Sequence, residues 1–158
     1  MGKFINLKHL YVRDCDQLKY LPKGIGRLTN LRILDRCPVG GGKDDDEAFK
    51  LGDLRNLDQL QGELEIDIDG DVEVAVGEGE KASPLGNIQL LQLDVSFVNC
   101  GTSAEILDFL RPHPNLESLQ IARQNGSTAP NWIMSLNNLR VLYLVRWNEC
   151  KVLPPLGK

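Results

Sequence analysis

The sequence is short of histidine, of paired cysteines and of long apolar runs, and each shortage excludes a class of protein. Two histidines and four cysteines are present in 158 residues. Cys15, Cys37, Cys100 and Cys150 form no C-x-x-C pair, which disfavours a zinc ribbon or a thiol redox motif. Their wide spacing, with no signal peptide before them, favours reduced thiols in a protein that is not secreted. No apolar run approaches the length of a membrane span.

Basic residues are also in the minority: the sequence has 18 Lys and Arg and 22 Asp and Glu, which gives a net charge of −4. This balance argues against nucleic acid as a main partner. Eight of the carboxylates lie between Glu63 and Glu80 with no basic residue among them. A run of this kind is typical of a solvated face or loop.

Three kinds of chemical site are considered and set aside. The calcium-loop pattern fails in both frames, because Val72 takes the glycine position in one and Val76 the closing glutamate in the other. The glycine-rich stretch before Asp44 lacks the hydroxyl residue of a phosphate loop. His9 and His113 stand beside no nucleophile motif. We therefore predict no catalytic residues, no metal and no cofactor.

What the sequence has instead is a recurring N-L-x-x-L pattern, with isoleucine replacing the first leucine once. Its first apolar residue stands at Leu7, Leu31, Leu57, Ile88, Leu116 and Leu139, at steps of 24, 26, 31, 28 and 23 residues. Most steps lie within or near the 20–29-residue period of leucine-rich repeats, whose pattern is L-x-x-L-x-L-x-x-N/C. The sequence predicts an α/β solenoid: a horseshoe segment with a parallel concave β-sheet and an irregular or short helical convex side. One domain over 1–158 would hold about six irregular repeats.

Strand alternation divides the side chains of each repeat into an inward and an outward set. Stacked inward leucines form a shared core, to which each contributes about 1.5–3 kcal/mol. Trp132 and Trp147 are expected to pack in the core or between repeats, and Cys15 to bond with neighbouring backbone. The predicted core comprises Leu7, Leu10, Val12, Cys15, Leu31, Leu34, Leu64, Ile66, Leu91, Leu93, Leu116, Leu119, Ile121, Leu139, Leu142 and Leu144.

The outward residues of the strands form the candidate binding face, because a curved parallel sheet offers a broad surface to a protein partner. Tyr and Arg, which are enriched in interface hot spots, lie at both ends of this face with acids between them. Its members are His9, Tyr11, Arg13, Ile33, Asp35, Glu63, Glu65, Asp67, Gln92, Asp94, Ser118, Gln120, Tyr143, Val145 and Arg146.

The middle of the chain is the least regular part. Leu51, Leu54, Leu57 and Leu60 have helical spacing, so a short amphipathic helix is predicted before the strand of the third repeat. Residues 40–50 and 69–86 are rich in glycine and acid, and we predict loops or insertions there. The Asn-Gly-Ser sequence at 125–127 matches a glycosylation acceptor, but it is a better signal for a turn.

The segments "LKYLPKGIGRLTNLRIL", "LGDLRNLDQLQGELEI", "LDFLRPHPNLESLQI" and "LPPLG" closely resemble a known family. They are similar to the leucine-rich repeats of plant intracellular coiled-coil, nucleotide-binding, leucine-rich-repeat (NLR) disease-resistance proteins. The likeness runs from Ile5 to Gly157. Two departures are that Trp147 takes the usual cysteine slot, with Cys150 at the second, and that residues 67–82 are unusually acidic.

The resemblance implies a non-enzymatic module that binds a pathogen effector or an effector-modified host protein. It also implies contact with the receptor's own nucleotide-binding region, which keeps the receptor inactive, and a location in the cytoplasm or the nucleus. The chain starts inside a repeat and stops where another strand should follow, so we expect a fragment of a longer receptor. The alternative is a freestanding short repeat protein that acts as an adaptor or inhibitor. The sequence leaves the oligomeric state open.

Overall fold

The structure, a computed structural model, describes residues 4–40, 46–72 and 83–157. Within them lie the strands β1 (His9–Leu10), β2 (Ile33–Leu34), β3 (Arg36–Val39), β4 (Gln61–Asp69), β5 (Gln89–Val98), β6 (Ser118–Ala122) and β7 (Val141–Val145). β1 pairs with β2, and the other five form a sheet in the order β3-β4-β5-β6-β7. Every pairing is parallel. Neighbours in the sheet are therefore neighbours in the chain, as a solenoid requires, and the predicted parallel sheet is confirmed.

Short helices precede four of the strands. They are the 3₁₀ helices η1 (Lys23–Arg27), η2 (Leu51–Asn56) and η3 (Asn131–Ser135) and the α-helix α1 (Ser103–Phe109). η2 occupies the place of the predicted amphipathic helix and buries Leu51 and Leu54, but it has the tighter 3₁₀ winding. The following backbone bonds from Leu57 to Leu54 and from Leu60 to Leu57 also span three residues. That these helices line a convex side stays a prediction.

The core consists of aliphatic side chains aligned across adjacent strands. Leu64, Leu93, Leu119 and Leu142 occupy one line of registered positions. A second line runs through Ile66, Val95, Ile121 and Leu144. Because the registered positions are about 4.8 Å apart, each side chain packs against the next one in its line.

Burial of the predicted core depends on its place in the stack. Fully buried are Leu31, Leu34, Leu64, Ile66, Leu93, Leu116, Leu119 and Ile121. Partly buried, and packed against that core, are Leu7, Leu10, Val12, Leu139, Leu142 and Leu144. The second set belongs to the repeats of β1 and β7; among the described strands, β1 pairs with β2 alone and β7 pairs with β6 alone.

Two predicted core residues are wrong, and Leu91 is the first. Leu91 is 52% exposed, whereas Leu90 is 2% exposed. In the β4–β5 register Gly62 pairs with Leu90 and Glu63 pairs with Gln92, so Leu91 is an extra residue in a β-bulge. The bulge puts two successive residues on the outer side, and Leu90 takes the inward position.

The second wrong prediction concerns Cys15, whose side chain is exposed. β1 ends at Leu10, and the chain then turns so that the Cys15 N–H donates to the Val12 carbonyl at 3.0 Å. The turn directs the thiol outward. The backbone carbonyl of Cys15, in contrast, accepts a hydrogen bond from the Arg36 guanidinium at 3.0 Å.

The two segments predicted as loops or insertions contain some packed residues where the structure describes them, and their assignment as loops or insertions stays a prediction. Ala48 and Phe49 are buried, and Ala48 bridges to Pro22. At the second segment, Asp69 ends β4 and Leu85 is fully buried. The remaining parts, 41–45 and 73–82, lie outside the described residues. The division into one domain of about six repeats stays a prediction.

Candidate functional site

Outward side chains of β4–β7 form a surface that we call the sheet face, defined by three rows in strand register. Strand neighbours in parallel sheets are about 4.8 Å apart, so each row spans about 14 Å from β4 to β7. The rows are Glu63–Gln92–Ser118–Val141, Glu65–Asp94–Gln120–Tyr143 and Asp67–Ser96–Ala122–Val145. All nine candidate residues of these strands therefore lie together, with only Arg146 of the last repeat outside the rows.

Arg146 follows β7 in a left-handed turn. Its φ is 52°, and the residues directly after β4, β5 and β6 have the same backbone form, with φ of 81° at Gly70, 52° at Asn99 and 59° at Arg123. The turn takes Arg146 out of the alternation that places Tyr143 and Val145 outward. Strand alternation could have shown this from the sequence, because steps of two from Tyr143 reach Val145 and pass over Arg146.

Candidates from the first two repeats lie beside β4. His9 is in register with Ile33, and the His9 ring meets that of Tyr11 edge to face at a centroid distance of 6.3 Å. A depression of about 260 Å³ is lined by Tyr11, Arg13, Ile33, Asp35, Gln61, Gly62 and Glu63. Asp35 also has a structural role, because its carboxylate accepts hydrogen bonds from the backbone N–H groups of Val12 at 2.7 Å and Arg13 at 3.2 Å.

Sequence reasoning missed Arg36, which is central to the charge network. The backbone bends at Asp35, so two successive residues point outward between the buried Leu34 and Cys37. Arg36 donates through Nε to Asp67 Oδ2 at 2.6 Å, and this hydrogen bond is the main reason that the pKa of Arg36 is raised. Ser96, also missed, donates to Asp67 Oδ1 at 2.7 Å. Strict alternation in the second repeat gave no signal for Arg36, whereas counting by two from Gln92 and Asp94 on β5 could have revealed Ser96.

The acidic half of the sheet face comprises Glu63, Glu65, Asp67 and Asp94. Arg13 approaches it from the first repeat, with its guanidinium 3.5 Å from the Glu65 carboxylate and 3.9 Å from that of Glu63. These pairs are largely exposed to solvent, so each contributes only about 0–1 kcal/mol. Four carboxylates against the two guanidiniums of Arg13 and Arg36 leave an excess of two negative charges.

Two carboxylates in this half are partly desolvated. Burial raises the pKa of Glu65, and the neighbouring Asp67 charge adds to the rise against the opposing effects of Arg13 and Arg36. Burial also raises the pKa of Asp94, although a hydrogen bond from the Gln92 amide at 3.3 Å acts in the other direction. Both groups therefore have a higher proton affinity than in water, and both would gain from a further cation.

The apolar half of the sheet face comprises Val141, Tyr143 and Val145 on β7. Tyr143 is 57% exposed, and both valines are more than a third exposed. Gln120 and Ser118 on β6 lie between the two halves. The sheet face thus changes from acidic at β4 and β5, through neutral polar, to apolar at β7.

Two tryptophans tie neighbouring repeats together, as predicted. Both are buried; Trp132 Nε1 donates to the Leu107 carbonyl at 3.1 Å, and Trp147 Nε1 donates to the Gly126 carbonyl at 2.6 Å. Asn125 is similarly engaged, since its amide nitrogen donates to the Cys100 carbonyl at 2.9 Å. That nitrogen is the atom a glycan would need.

Within residues 4–40, 46–72 and 83–157, no three His, Cys, Asp or Glu side chains are grouped closely enough to hold a metal ion. The closing positions of both calcium frames fall in 73–82, outside the described residues. His113 has a local role, with Nδ1 accepting a hydrogen bond from the Asn115 N–H at 3.2 Å. Among the described helices, none is both long and apolar enough to cross a bilayer.

A comparison with family models identifies the fold. The model described as R13L1/DRL21 leucine-rich repeats matches residues 51–158. The chain belongs to this family. The R13L1/DRL21 match covers β4 to β7 and therefore all three rows of the sheet face.

Two relatives from Solanum bulbocastanum, both named as disease resistance proteins, extend the match. RGA4 is 33% identical over 159 residues, which covers 95% of this chain and 15% of RGA4. RGA2 is 30% identical over 141 residues, covering 84% of this chain and 14% of RGA2. The chain thus spans about 15% of the length of these relatives. The resemblance to the leucine-rich repeats of plant NLR disease-resistance proteins is confirmed.

Proposed function

We propose that this chain is a non-enzymatic protein-recognition module of a plant immune receptor. Its sheet face, on the concave side of a horseshoe, binds a pathogen effector or a host protein that an effector has modified, in the cytoplasm or in the nucleus. The observation that carries the proposal is the set of three registered rows, whose outward side chains the core does not need. The names of RGA4 and RGA2 as disease resistance proteins support the same role.

A variant at the centre of the sheet face tests recognition. Gln120 is half-exposed in the middle row, so Gln120→Arg adds bulk and charge there without touching the core. Asn56→Arg makes the same chemical change at an exposed position at the end of η2. In affinity purification from infected leaf tissue, a partner should be retained by the wild type and by Asn56→Arg and lost by Gln120→Arg. Equal retention by all three proteins would refute binding through this face.

The second part of the proposal is that the acidic half also contacts the nucleotide-binding region of the same receptor and helps to hold it inactive. An excess of negative charge suits a basic surface on that region. Reversing Glu63 and Glu65, and in a separate variant Asp67, to lysine should weaken binding to that region or trigger leaf cell death without a pathogen. Unchanged binding together with unchanged cell death would contradict this role.

A further inference from the structure

We infer that the sheet face takes an extended protein segment that presents a Lys or Arg side chain about 10–14 Å from an aliphatic or aromatic one. This inference rests on the proposed function and adds the chemistry of the partner to it. The basic side chain lies over the acidic half, and the apolar side chain lies over Val141, Tyr143 and Val145.

Among the described residues, charge on the acidic half is only partly neutralised. Arg36 is committed to Asp67 by a direct hydrogen bond. Arg13 lies 3.5 Å from Glu65 in a largely exposed pair, which water screens. Among the described residues, no Lys or Arg forms an ion pair with Asp94, whose hydrogen bond comes from the neutral Gln92 amide. A partner cation beside Asp94 therefore adds an ion pair that the described residues do not supply.

Exposed apolar side chains on β7 are not explained by packing among the residues that the structure describes. Leu142 and Leu144 occupy the inward positions of β7, so Val141, Tyr143 and Val145 alternate outward between them. A tyrosine flanked by two valines presents rigid contact area at low entropic cost and resembles the anchors found in interface hot spots. Covering these side chains removes apolar surface from water, which favours a partner with its own apolar group there.

The distance between the two halves sets the spacing required of the partner. Asp94 and Tyr143 are two strands apart in the same row, and Glu65 and Tyr143 are three strands apart. At about 4.8 Å per strand these separations are about 10 and 14 Å. In an extended segment, residues four apart point to the same side and are about 13 Å apart. The inference therefore specifies a basic and an apolar residue separated by four positions.

Selection from a random peptide library displayed on phage, with the full chain as bait, tests this chemistry. Enriched peptides should carry Lys or Arg four positions from an aliphatic or aromatic residue. For individual peptides, Asp94→Asn should lower the affinity about fivefold, and raising the ionic strength should lower it further. Tyr143→Ser should lower it at least tenfold. Asp108→Asn on α1 and Met134→Ser on η3 are matched controls at exposed positions and should leave the affinity unchanged.

Circular dichroism and the thermal midpoint of each variant verify that it folds, so a lost affinity reports on the surface. Peptides that lack basic residues, yet lose binding to Gln120→Arg, would overturn the partner chemistry while the sheet face remained a recognition surface. Peptides that bind the wild type, Asp94→Asn and Gln120→Arg equally would overturn both proposals. A library without enrichment over the Gln120→Arg bait would also count against both.

Discussion

Replacing Leu90 by alanine should destabilise the protein much more than replacing Leu91 by alanine. The two leucines are adjacent in β5, but Leu90 is 2% exposed and Leu91 is 52% exposed. The pair offers an internally matched experiment, because the same three carbon atoms are removed from the same strand. Only the direction of the side chain differs.

The magnitude follows from burial. Three buried carbons contribute about 2.4 kcal/mol at about 0.8 kcal/mol each, and the cavity left among rigid neighbours brings the cost to about 2–5 kcal/mol. At Leu91 about half of the side chain is already in water and no cavity forms, so the cost should be about 1 kcal/mol or less. A domain of this size is stable by about 5–15 kcal/mol, so the difference is readily measured.

Urea unfolding followed by circular dichroism gives both free energies of unfolding. The slope of each transition should match that of the wild type, which shows that the variants lose stability without a change in the surface exposed on unfolding. Leu93→Ala, at a fully buried position on the same strand, should behave like Leu90→Ala. Equal costs at Leu90 and Leu91, or a larger cost at Leu91, would refute the bulge and the β4–β5 register.

Three further predictions follow from the charges and turns. Arg36→Ala should lower the free energy of unfolding, measured in urea, by about 1.5–3 kcal/mol, because it removes a partly buried charged hydrogen bond. Arg13→Ala removes an exposed ion pair and should lower the same free energy by at most about 1 kcal/mol. Equal losses in the two variants would contradict this difference. Because the folded state holds the Glu65 proton more tightly than the unfolded chain does, stability falls as pH rises from about its ordinary pKa of 4.5 through the raised one. The thermal midpoint of Glu65→Gln should therefore be higher than that of the wild type at neutral pH, and the difference should be smaller at pH near 4.5. A difference that does not depend on pH would refute the raised pKa of Glu65. Gly62 has a φ of 79°, so Gly62→Ala should lower the free energy of unfolding by about 1–2 kcal/mol through backbone strain alone. In Gly52→Ala, on η2, the new carbon meets nothing within 4 Å, and the same urea assay should show a change of less than about 0.5 kcal/mol.

The repeats that follow the pattern literally could be predicted from the sequence. In the fifth repeat Leu116, Leu119 and Ile121 keep the L-x-x-L-x-L spacing and are buried. Alternation then fixes Ser118 and Gln120 on the other side. The family resemblance could also be seen in the sequence, because the spacing of the leucines and the Leu-Pro elements of the turns define the family pattern.

Departures from the pattern could not be predicted, because they depend on contacts between strands. Leu90 and Leu91 are identical in chemistry, so the bulge that chooses between them is visible only in the register with β4. Arg36 points outward because the chain bends at Asp35, whose carboxylate binds two N–H groups of the first repeat. The division of the sheet face into an acidic and an apolar half likewise needs the order of neighbouring strands.

Unequal strand lengths set the order in which backbone amides exchange with deuterium. β1 and β2 share two residue pairs, whereas β4 and β5 share nine, and β5 and β6 share five. Because each repeat contacts mainly its neighbours, the first one can detach while the rest stays closed. Amides of β1 should thus exchange first and those of β5 last. The acidic half of the sheet face, on β4 and β5, would stay assembled while the first repeat opens.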